Sequence, residues 1–561
     1  MTAPGPEVTA VLVVFLAPLA ASLGPLVSKA FLGPGPRGGW AARAVPAVCL
    51  VLGLLASPAA LIRLHAAVTG GGTVAFALGL PSPLAIRYLL DGPAWLACAL
   101  IAAVGLCAGL YGLVSGGYSP AFWFFFLVAL SALYACVLTA DLFNLFVSLE
   151  LLALCSYVLI AYKRTPASLW ASYSYLVTST VAVVFYLLGL YFLYGYAGTL
   201  SIPEAAASIR SLGPVPPRNL RMALGFLTVA LGVRSAYAPF HAWLPEAHAS
   251  ASHPVSALLS GATLAAGYFA LGRILSLFDV PALREGLLWA GALTALTGGL
   301  FAVAQRDAKR LLAWSSVGQA GLCLAALASG SFAAGALHAL AHGAAKALLF
   351  LSVGRAADEA GSRDLGVLRG LAGLGPSLGI LVGAASLAGL PPLAGWASKS
   401  LAGYAAGGGA VGMVLAAASV LSAAAAFRVL PLLGIFRPSG GPREGSPAAP
   451  GPGDMRNLAV VLTGLLPLAV LCAAGGLPGI PEAAASLADP GAGPLGIPAF
   501  GWPALAKALP TLGAGAVIAA AAGTRPARKI LDLWERRGTG ADAALRLLLA
   551  GAAAAALLGL L

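Results

Sequence analysis

Charged side chains are scarce in this sequence. Asp, Glu, Lys and Arg make up 9% of its 561 residues, whereas hydrophobic residues make up 60% and the mean hydropathy is +0.92. A soluble domain carries roughly 25% charged residues. Apolar runs of about 20 residues, each long enough to cross a bilayer, recur from one end of the chain to the other. The composition excludes a soluble globular domain and predicts an all-α polytopic membrane protein.

Cysteine is also scarce, and it is dispersed. The seven Cys lie in separate apolar segments, at positions 49, 98, 107, 136, 155, 323 and 472, without a C-x-x-C pair. This pattern indicates neither a disulfide framework nor an iron–sulfur or haem attachment motif. A Rossmann turn or a P-loop in a suitable context is missing too. We therefore expect no cofactor and no redox centre within the chain.

The net charge of +13 does not indicate a nucleic-acid partner. Lys and Arg sit mostly in short loops between apolar runs, as membrane topology requires, so we expect the lipid bilayer to be the partner. The N-terminus has no basic n-region and no small-residue processing site before its first apolar run. We interpret that run as a retained helix rather than a cleaved signal.

Sixteen candidate membrane spans can be marked, with 14 to 16 of them expected to cross the bilayer. They lie near 8–28, 44–62, 93–114, 120–140, 142–162, 170–192, 221–242, 254–272, 286–304, 311–329, 334–354, 372–398, 408–428, 458–477, 508–523 and 541–561. With the N-terminus outside, 20 Lys and Arg fall in inside loops and eight in outside loops. The positive-inside rule therefore predicts a multi-pass protein of the cell (plasma) membrane with both termini outside.

The spans predict four regions. Residues 1–119 form N-terminal helices, 120–272 and 286–428 form two five-helix units of inverted topology, and 429–561 form a C-terminal loop and helices. Two stretches rich in Pro, Gly and Ala, 429–457 and 478–507, are interpreted as surface connections.

In both five-helix units, the fourth helix carries Pro near an ionisable residue. Arg234 precedes Pro239 in the first unit, and Pro391 and Pro392 precede Lys399 in the second. Proline removes a helical hydrogen bond and breaks the span. Paired broken helices in inverted repeats indicate a transport site near the membrane midplane.

His338, His342 and Lys346 recur at i, i+4 and i+8, so a helix would place them along one face. Three titratable groups inside an apolar helix are costly, which favours a functional role over a structural one. Histidine can both donate and accept protons near physiological pH. H-x-x-x-H also suits zinc, but no Glu follows His338 and no third ligand is evident, so we expect no metal site.

Glu150 and Lys399 are the other buried ionisable residues of interest. Glu150 lies two turns into an apolar helix and must pair with a cation or take up a proton. The less favoured alternative is a fixed ion pair that only holds two helices together. Lys399 could exchange a proton or snorkel to the interface. Asp141, at a helix junction, is interpreted as a cap or an interfacial residue.

Three further histidines, His241, His248 and His253, cluster in a segment that we interpret as an inside loop between the seventh and eighth spans. They could admit protons to the membrane interior. They could also simply be polar residues at the interface, and the sequence does not decide between these roles.

At these motifs the sequence resembles the antiporter-like membrane subunits of respiratory complex I (NADH:quinone oxidoreductase), of Mrp-type cation/proton antiporters and of membrane-bound hydrogenases. The matching stretches are DLFNLFVSLELLALCSYVLIAY (141–162), SAYAPFHAWLPEAHASASHPVSALLSG (235–261), DAKRLLAWSSVGQAG (307–321), LHALAHGAAKALLFLSVG (337–354) and GLPPLAGWASK (389–399). The resemblance implies two inverted five-helix repeats, each a half-channel, joined by buried ionisable residues.

The resemblance also implies roles for single residues. Glu150 matches the family's paired glutamate, Lys346 with His338 and His342 the central relay, and Lys399 the lysine of the second broken helix. Two positions depart from the family pattern. Arg234 stands where Lys is usual, and it can modulate Glu150 but is a poor proton carrier. Ala265 stands where many members have a relay Lys, so water would have to bridge that position.

The leading hypothesis is a proton-translocating subunit of a larger membrane complex, with other membrane subunits as partners and H⁺ or Na⁺ as the transported ion. Such a subunit would serve an oxidoreductase or antiporter complex without a redox centre of its own. A self-sufficient cation/proton antiporter is the second hypothesis, with Glu150 as its only clear intramembrane carboxylate. A structural subunit with a degenerate channel is the third, because of Arg234 and Ala265.

Overall fold

The computed structural model describes residues 5–32, 41–79, 85–211, 217–277, 280–436, 455–490 and 502–524. Over these residues the chain is nearly all helical, with a single antiparallel hairpin of β1 (Val74–Leu78) and β2 (Ile86–Leu90). Thirteen of the described helical segments are long and apolar enough to cross a membrane. The prediction of an all-α multi-pass membrane protein is confirmed.

The helices follow the order that the apolar runs predict. Before the first predicted five-helix unit lie α1 (Pro6–Leu32), α2 (Ala41–Val68) and α3 (Gly92–Ser115). Within that unit lie α4 (Pro120–Leu138), α5 (Leu142–Ala161), α6 (Pro166–Ala197), α7 (Ile202–Arg210), α8 (Arg218–Ser235), α9 (Trp243–Ser250), α10 (His253–Leu258) and α11 (Leu264–Leu275). A π-helical turn at Leu259–Thr263 joins α10 to α11.

The second predicted unit and the C-terminal region follow in the same way. The second unit contains α12 (Pro281–Ala304), α13 (Ala308–Ala328), α14 (Phe332–Ala360), α15 (Leu374–Ala388), α16 (Ala394–Ala405) and α17 (Gly409–Phe427). The C-terminal region contains α18 (Met455–Val460), α19 (Leu466–Ala474), α20 (Ile480–Ala488) and α21 (Trp502–Ala522), with a π-helical turn at Val461–Leu465. Fifteen predicted spans thus coincide with apolar helices: the thirteen long ones and two shorter ones, Leu374–Ala388 and Leu458–Ala474. The sixteenth, near 541–561, lies outside the described residues.

Polar caps explain where the central helices begin. Asp141 precedes α5 and its Oδ1 accepts a hydrogen bond from the Asn144 N–H at 2.7 Å. Asp307 caps α13 in the same way, accepting from the Arg310 N–H at 3.0 Å. Each cap satisfies an N–H that has no partner within the helix. The predicted capping role of Asp141 is confirmed.

The prediction of a surface connection at 478–507 is wrong for 480–488. These residues form α20, whose first turn contains Pro481, a residue that suits the start of a helix. The Ala-rich sequence that follows has high helix propensity. Ala485 and Ala488 pack with buried apolar residues of α3, α14 and α16. The hairpin of β1 and β2 is a second element that the apolar runs did not predict.

Two glycines let the first predicted unit approach α14 closely. A Cβ on Gly343 would lie 2.4 Å from the Gly261 carbonyl oxygen, and a Cβ on Gly261 would lie 2.9 Å from the Gly343 oxygen. Small residues of this kind allow close backbone contact between membrane helices. The crossing brings the π-helical turn at Leu259–Thr263 beside the part of α14 that carries His342 and Lys346.

Candidate functional site

Two membrane helices are interrupted, as predicted. A turn containing Pro239 separates α8 from α9, and a turn containing Pro391 and Pro392 separates α15 from α16. Such breaks leave backbone carbonyls without helical partners, which makes them natural acceptors for cations and polar side chains. The inside loop predicted around His241, His248 and His253 is therefore a misassignment. Most of that stretch is α9, the second arm of the broken helix.

The first arm ends beside a buried ion pair. Arg234, on the last turn of α8, donates from Nη2 to Glu150 Oε1 of α5. The Arg234 side chain is 7% exposed and the Glu150 side chain 34%. Phe146, Ala182 and Tyr186 are among the residues that line a small cavity at this pair. The structure brings the two predicted residues of the first unit into direct contact.

Two aromatic side chains pack beside Arg234 of this pair. Arg234 Nη1 lies 3.5 Å from the Tyr175 hydroxyl of α6. Tyr175 in turn stacks on Trp243 of α9, with ring centroids 3.9 Å apart and planes inclined by 16°. Both rings are fully buried. Arg234 is therefore packed against aromatic side chains, whereas Glu150 is partly exposed.

The predicted file of His338, His342 and Lys346 lies along one side of α14 and is buried. These side chains are 1%, 5% and 0% exposed, respectively. Lys346 Nζ donates to the Leu312 carbonyl of α13 at 2.8 Å. Neither ring nitrogen of His342 has a hydrogen-bond partner among the described residues. Buried polar atoms without partners are rare and are typical of sites that take up water, ions or protons.

Lys399 lies within reach of this file. His338 Nδ1 is 3.2 Å from the Ser398 hydroxyl of α16, the residue next to Lys399. Lys399 Nζ donates to the Leu387 carbonyl at the end of α15 and, at 2.9 Å, to the Ser422 hydroxyl of α17. Its amine is therefore seated at the helix break, which favours the functional interpretation of Lys399 over snorkelling to the interface.

A hydroxyl pair links the two predicted units near Lys346. Ser260, in the π-helical turn, and Ser316 of α13 place their hydroxyl oxygens 2.8 Å apart. Ser316 also donates to the Leu312 carbonyl at 3.0 Å, the same oxygen that accepts from Lys346. These contacts form a continuous polar connection from the first unit to the central lysine.

Ala265 lies away from this connection. It lines a cavity whose other walls are apolar apart from the phenol of Tyr268, and that hydroxyl is already bonded to the Ser235 carbonyl at 2.6 Å. Apolar cavities stay dry because water there would have no polar partners. The expectation that water bridges the position of Ala265 therefore finds no support in this cavity, and Ser260 with Ser316 offers the polar route instead.

Sequence reasoning did not predict the burial of Lys309 or of His248. Lys309 lies outside the predicted span 311–329, but the structure places it in the first turn of α13, where it is fully buried and donates to the Ala251 carbonyl at 2.7 Å. His248 of α9 is fully buried between Trp243 and Phe350, and neither of its ring nitrogens has a partner among the described residues. The signal for Lys309 was its position two residues after the cap Asp307, which places it inside the helix.

Charged residues around α9 tie the two units together at one end of the bundle. Arg310 Nη2 and Glu246 Oε1 are 2.5 Å apart. Arg363 donates to the Ala249 carbonyl at 2.7 Å and pairs with Asp307 at 3.2 Å. Cations at the C-terminus of a helix satisfy its last carbonyls and complement its dipole. Within the described ranges, no three His, Cys, Asp or Glu side chains converge as a metal site requires.

Comparison with known proteins gives matches over the part of the chain that contains these buried ionisable residues. A family model described as "NADH:quinone oxidoreductase/Mrp antiporter, TM" matches residues 139–425. NADH-quinone oxidoreductase subunit N of Desulforudis audaxviator is 36% identical over 414 residues, covering 70% of this chain and 81% of the relative.

Solved structures show the same likeness across nearly the whole chain. A chain of the Mrp complex from Dietzia sp. DQ12-45-1b superposes with a TM-score of 0.73 at 25% identity, covering 87% of this chain and 98% of that one. A chain of the archaeal membrane-bound sulfane sulfur reductase, a respiratory membrane complex, gives 0.72 at 25% identity and covers 86% and 97%. Both neighbours are parts of multisubunit membrane complexes. The chain therefore belongs to the NADH:quinone oxidoreductase/Mrp antiporter family of antiporter-like membrane subunits.

Proposed function

We propose that this chain translocates protons across the membrane as one subunit of a multisubunit respiratory or Mrp-type complex. The observation that carries the proposal is Lys346. Its amine is fully buried in the membrane-spanning bundle, and the hydrogen bond that the structure gives it goes to a neutral backbone carbonyl. A buried lysine without a carboxylate partner can alternate between charged and neutral forms, which is what a proton carrier must do.

The proposed path on one side of Lys346 runs through His342 and His338 to Lys399. His342 lies one helical turn from Lys346, and His338 lies one turn further along the same face. The Ser398 hydroxyl connects the ring of His338 to the segment that bears Lys399. Imidazoles and hydroxyls both donate and accept hydrogen bonds, so a proton can pass along this series.

On the other side, we propose that Glu150 and Arg234 act as a charge switch. Arg234 keeps its charge and does not carry a proton. Separating it from Glu150 would change the charge distribution near Lys346, with the Ser260–Ser316 connection as the polar route between the units. The helices of 120–272 and 286–428 would then serve as two half-channels.

We also propose that the chain lies in the plasma membrane with both termini outside and with other membrane subunits as partners. The cations that the positive-inside rule assigns to the inside include Arg310, which pairs with Glu246 of α9, and Arg363, which donates to the Ala249 carbonyl. Labelling single-cysteine variants of intact cells with a membrane-impermeant thiol reagent tests this orientation. Ser362→Cys should react only after the membrane is opened, and Ser276→Cys, at the exposed position that follows α11, should react in intact cells.

The central test is Lys346→Ala in the assembled complex, reconstituted in liposomes with a pH-sensitive dye inside. We expect proton transport to be lost while assembly is retained, because the carrier at the midpoint of the path is missing. Lys507→Ala is the matched control, since Lys507 is exposed on α21 and should leave transport unchanged. Normal proton transport by Lys346→Ala would overturn the proposal.

The same liposomes separate the self-sufficient antiporter from the subunit. The purified chain alone should show no sodium-dependent pH change if it needs its partners. Activity of the isolated chain would instead support an antiporter that works by itself, with Glu150→Gln expected to remove that activity.

A further inference from the structure

A narrow apolar cavity lies between α3, α11 and α14. Its lining residues include Leu96 and Leu100 of α3, Ala265 and Phe269 of α11, and Phe332 and Leu340 of α14. Along α14 the lining runs from Phe332 to Leu340, which is about 12 Å of helix at about 1.5 Å per residue. The cavity therefore follows the direction of the helices, as an extended chain bound there would.

The walls of this cavity offer no site for water or for a charge. Its lining side chains are hydrocarbon apart from the Tyr268 phenol, whose hydroxyl is bonded to the Ser235 carbonyl at 2.6 Å. Arg273 lies over the Phe269 ring, 4.9 Å from its centroid, and its guanidinium is neutralised by Asp91 at 2.6 Å. An occupant must therefore be a hydrocarbon, because a polar group there would lose its hydrogen bonds to water.

Ala265 helps to leave this space open. Its methyl group lines the cavity and the residue is 9% exposed, so a longer side chain at the same position would extend into the cavity. The atoms around an unfilled space lack dispersion contacts on that side, which destabilises the fold. A hydrocarbon that entered the cavity would restore those contacts.

The rim of the cavity is accessible from the bilayer. Ala97, Phe332, Ala336 and Leu340 line the cavity and are partly exposed. They belong to α3 and α14, two helices that are long and apolar enough to cross the membrane. The hydrocarbon tails of lipids surround such helices. A lipid tail is therefore the hydrocarbon that reaches this rim.

We propose that one acyl chain of a bilayer phospholipid occupies this cavity as a bound lipid. The site selects the hydrocarbon chain rather than the headgroup, because Asp91 already neutralises Arg273. The stabilisation comes from packing contacts between the chain and the walls, since lipid tails are as apolar as these walls. The site goes beyond proton transport, and it holds a lipid whether or not Lys346 carries protons.

Photo-crosslinking of the full chain in liposomes tests the proposal. The probe is a phospholipid whose acyl chain carries a diazirine, and mass spectrometry of peptides locates the label after illumination. Ala265 and Phe269 are 9% and 7% exposed, so lipids that only surround the protein do not reach them. Met413 of α17 is 70% exposed and reports those surrounding lipids. We expect label at Met413 and also at Ala265 or Phe269.

Cavity-filling variants assign the buried label to this site. Ala265→Leu should remove the label from α11 while Met413 stays labelled, because the added carbons occupy the cavity. Its thermal midpoint should stay the same or rise, because the side chain fills a void. Ala336→Leu, at the rim, should remove the same label and keeps the test decisive if Ala265→Leu does not fold. Ala416→Leu is the matched control, since Ala416 is exposed on α17, and it should leave both labels unchanged.

Two comparisons identify the occupant. The same diazirine chain on phosphatidylethanolamine and on phosphatidylglycerol should label Ala265 or Phe269 equally, because the headgroup is not recognised. An excess of an unlabelled isoprenoid quinone should displace the label no more than an equal excess of phospholipid does. Selective displacement by the quinone, labelling that depends on the headgroup, label at Met413 alone, or unchanged buried label in both Ala265→Leu and Ala336→Leu would overturn the proposal.

Discussion

The ion pair between Glu150 and Arg234 makes a quantitative prediction. Glu150→Gln keeps the size of the side chain and a hydrogen-bond acceptor, but it leaves the Arg234 guanidinium without a counter-charge. Removing one partner of a fully buried pair costs about 3–5 kcal/mol, whereas exposed pairs contribute about 0–1 kcal/mol. Arg234 is buried, but Glu150 is one third exposed. We therefore expect a loss of about 1–3 kcal/mol in the free energy of unfolding.

A double-mutant cycle isolates the interaction. Arg234→Met alone removes the cation and leaves Glu150 unpaired, and the double variant removes both charges. The double variant buries no isolated charge. We therefore expect its loss in the free energy of unfolding to be about 1–2 kcal/mol smaller than the sum of the losses of the two single variants. Unfolding in a titration of mild detergent with a denaturing one, followed by tryptophan fluorescence, gives the four free energies.

The chain contains a matched exposed pair as a control. Arg87 and Glu204 also form an Arg–Glu contact, but their side chains are 38% and 41% exposed. Glu204→Gln should therefore cost less than about 1 kcal/mol. The reasoning is refuted if Glu150→Gln costs no more than Glu204→Gln, or if the cycle shows no coupling between Glu150 and Arg234.

Three further substitutions test the contacts between the two units. Gly343→Ala should lower the free energy of unfolding by about 1–3 kcal/mol in the same titration, because its Cβ would collide with the Gly261 carbonyl. Ser260→Ala should slow proton transport several-fold without loss of assembly, because it breaks the hydroxyl link to Ser316. Lys309→Met should speed amide hydrogen exchange in α9 by about 10- to 150-fold, since a charged hydrogen bond worth about 1.5–3 kcal/mol is lost.

Control substitutions are available for the first two variants, and a clear contradicting result exists for the third. Gly195→Ala adds a Cβ where no heavy atom lies within 4 Å, so it should be neutral or stabilising, and an equal loss there would contradict the steric argument. Ser156→Ala removes a buried hydroxyl that bonds only the Leu152 carbonyl of its own helix, and it should leave transport unchanged. If amide hydrogen exchange in α9 is unchanged in the Lys309→Met variant, Lys309 does not stabilise that helix.

The sequence determined the membrane class, the order of the helices and most of the candidate site. In lipid, a long apolar run can satisfy its backbone hydrogen bonds only as a helix, so the apolar runs predict directly where the helices lie. The i, i+4, i+8 spacing of His338, His342 and Lys346 predicts that they share one face of a helix, because helix geometry depends only on positions close in the sequence. The cap at Asp141 and the breaks at the prolines also depend on neighbouring residues alone.

The tertiary structure decided what depends on contacts between distant segments. Whether Lys309 is a loop cation or a buried amine depends on the Ala251 carbonyl, 58 positions away in the chain. The link between Ser260 and Ser316 spans 56 positions and lies beside the close approach of Gly261 to Gly343. Sequence periodicity carries no information about such pairings. Membership of the family and the common face of His338, His342 and Lys346 could therefore be predicted from the sequence. The contacts of Lys399 and the polar connection through Ser260 and Ser316 depend on packing and could not.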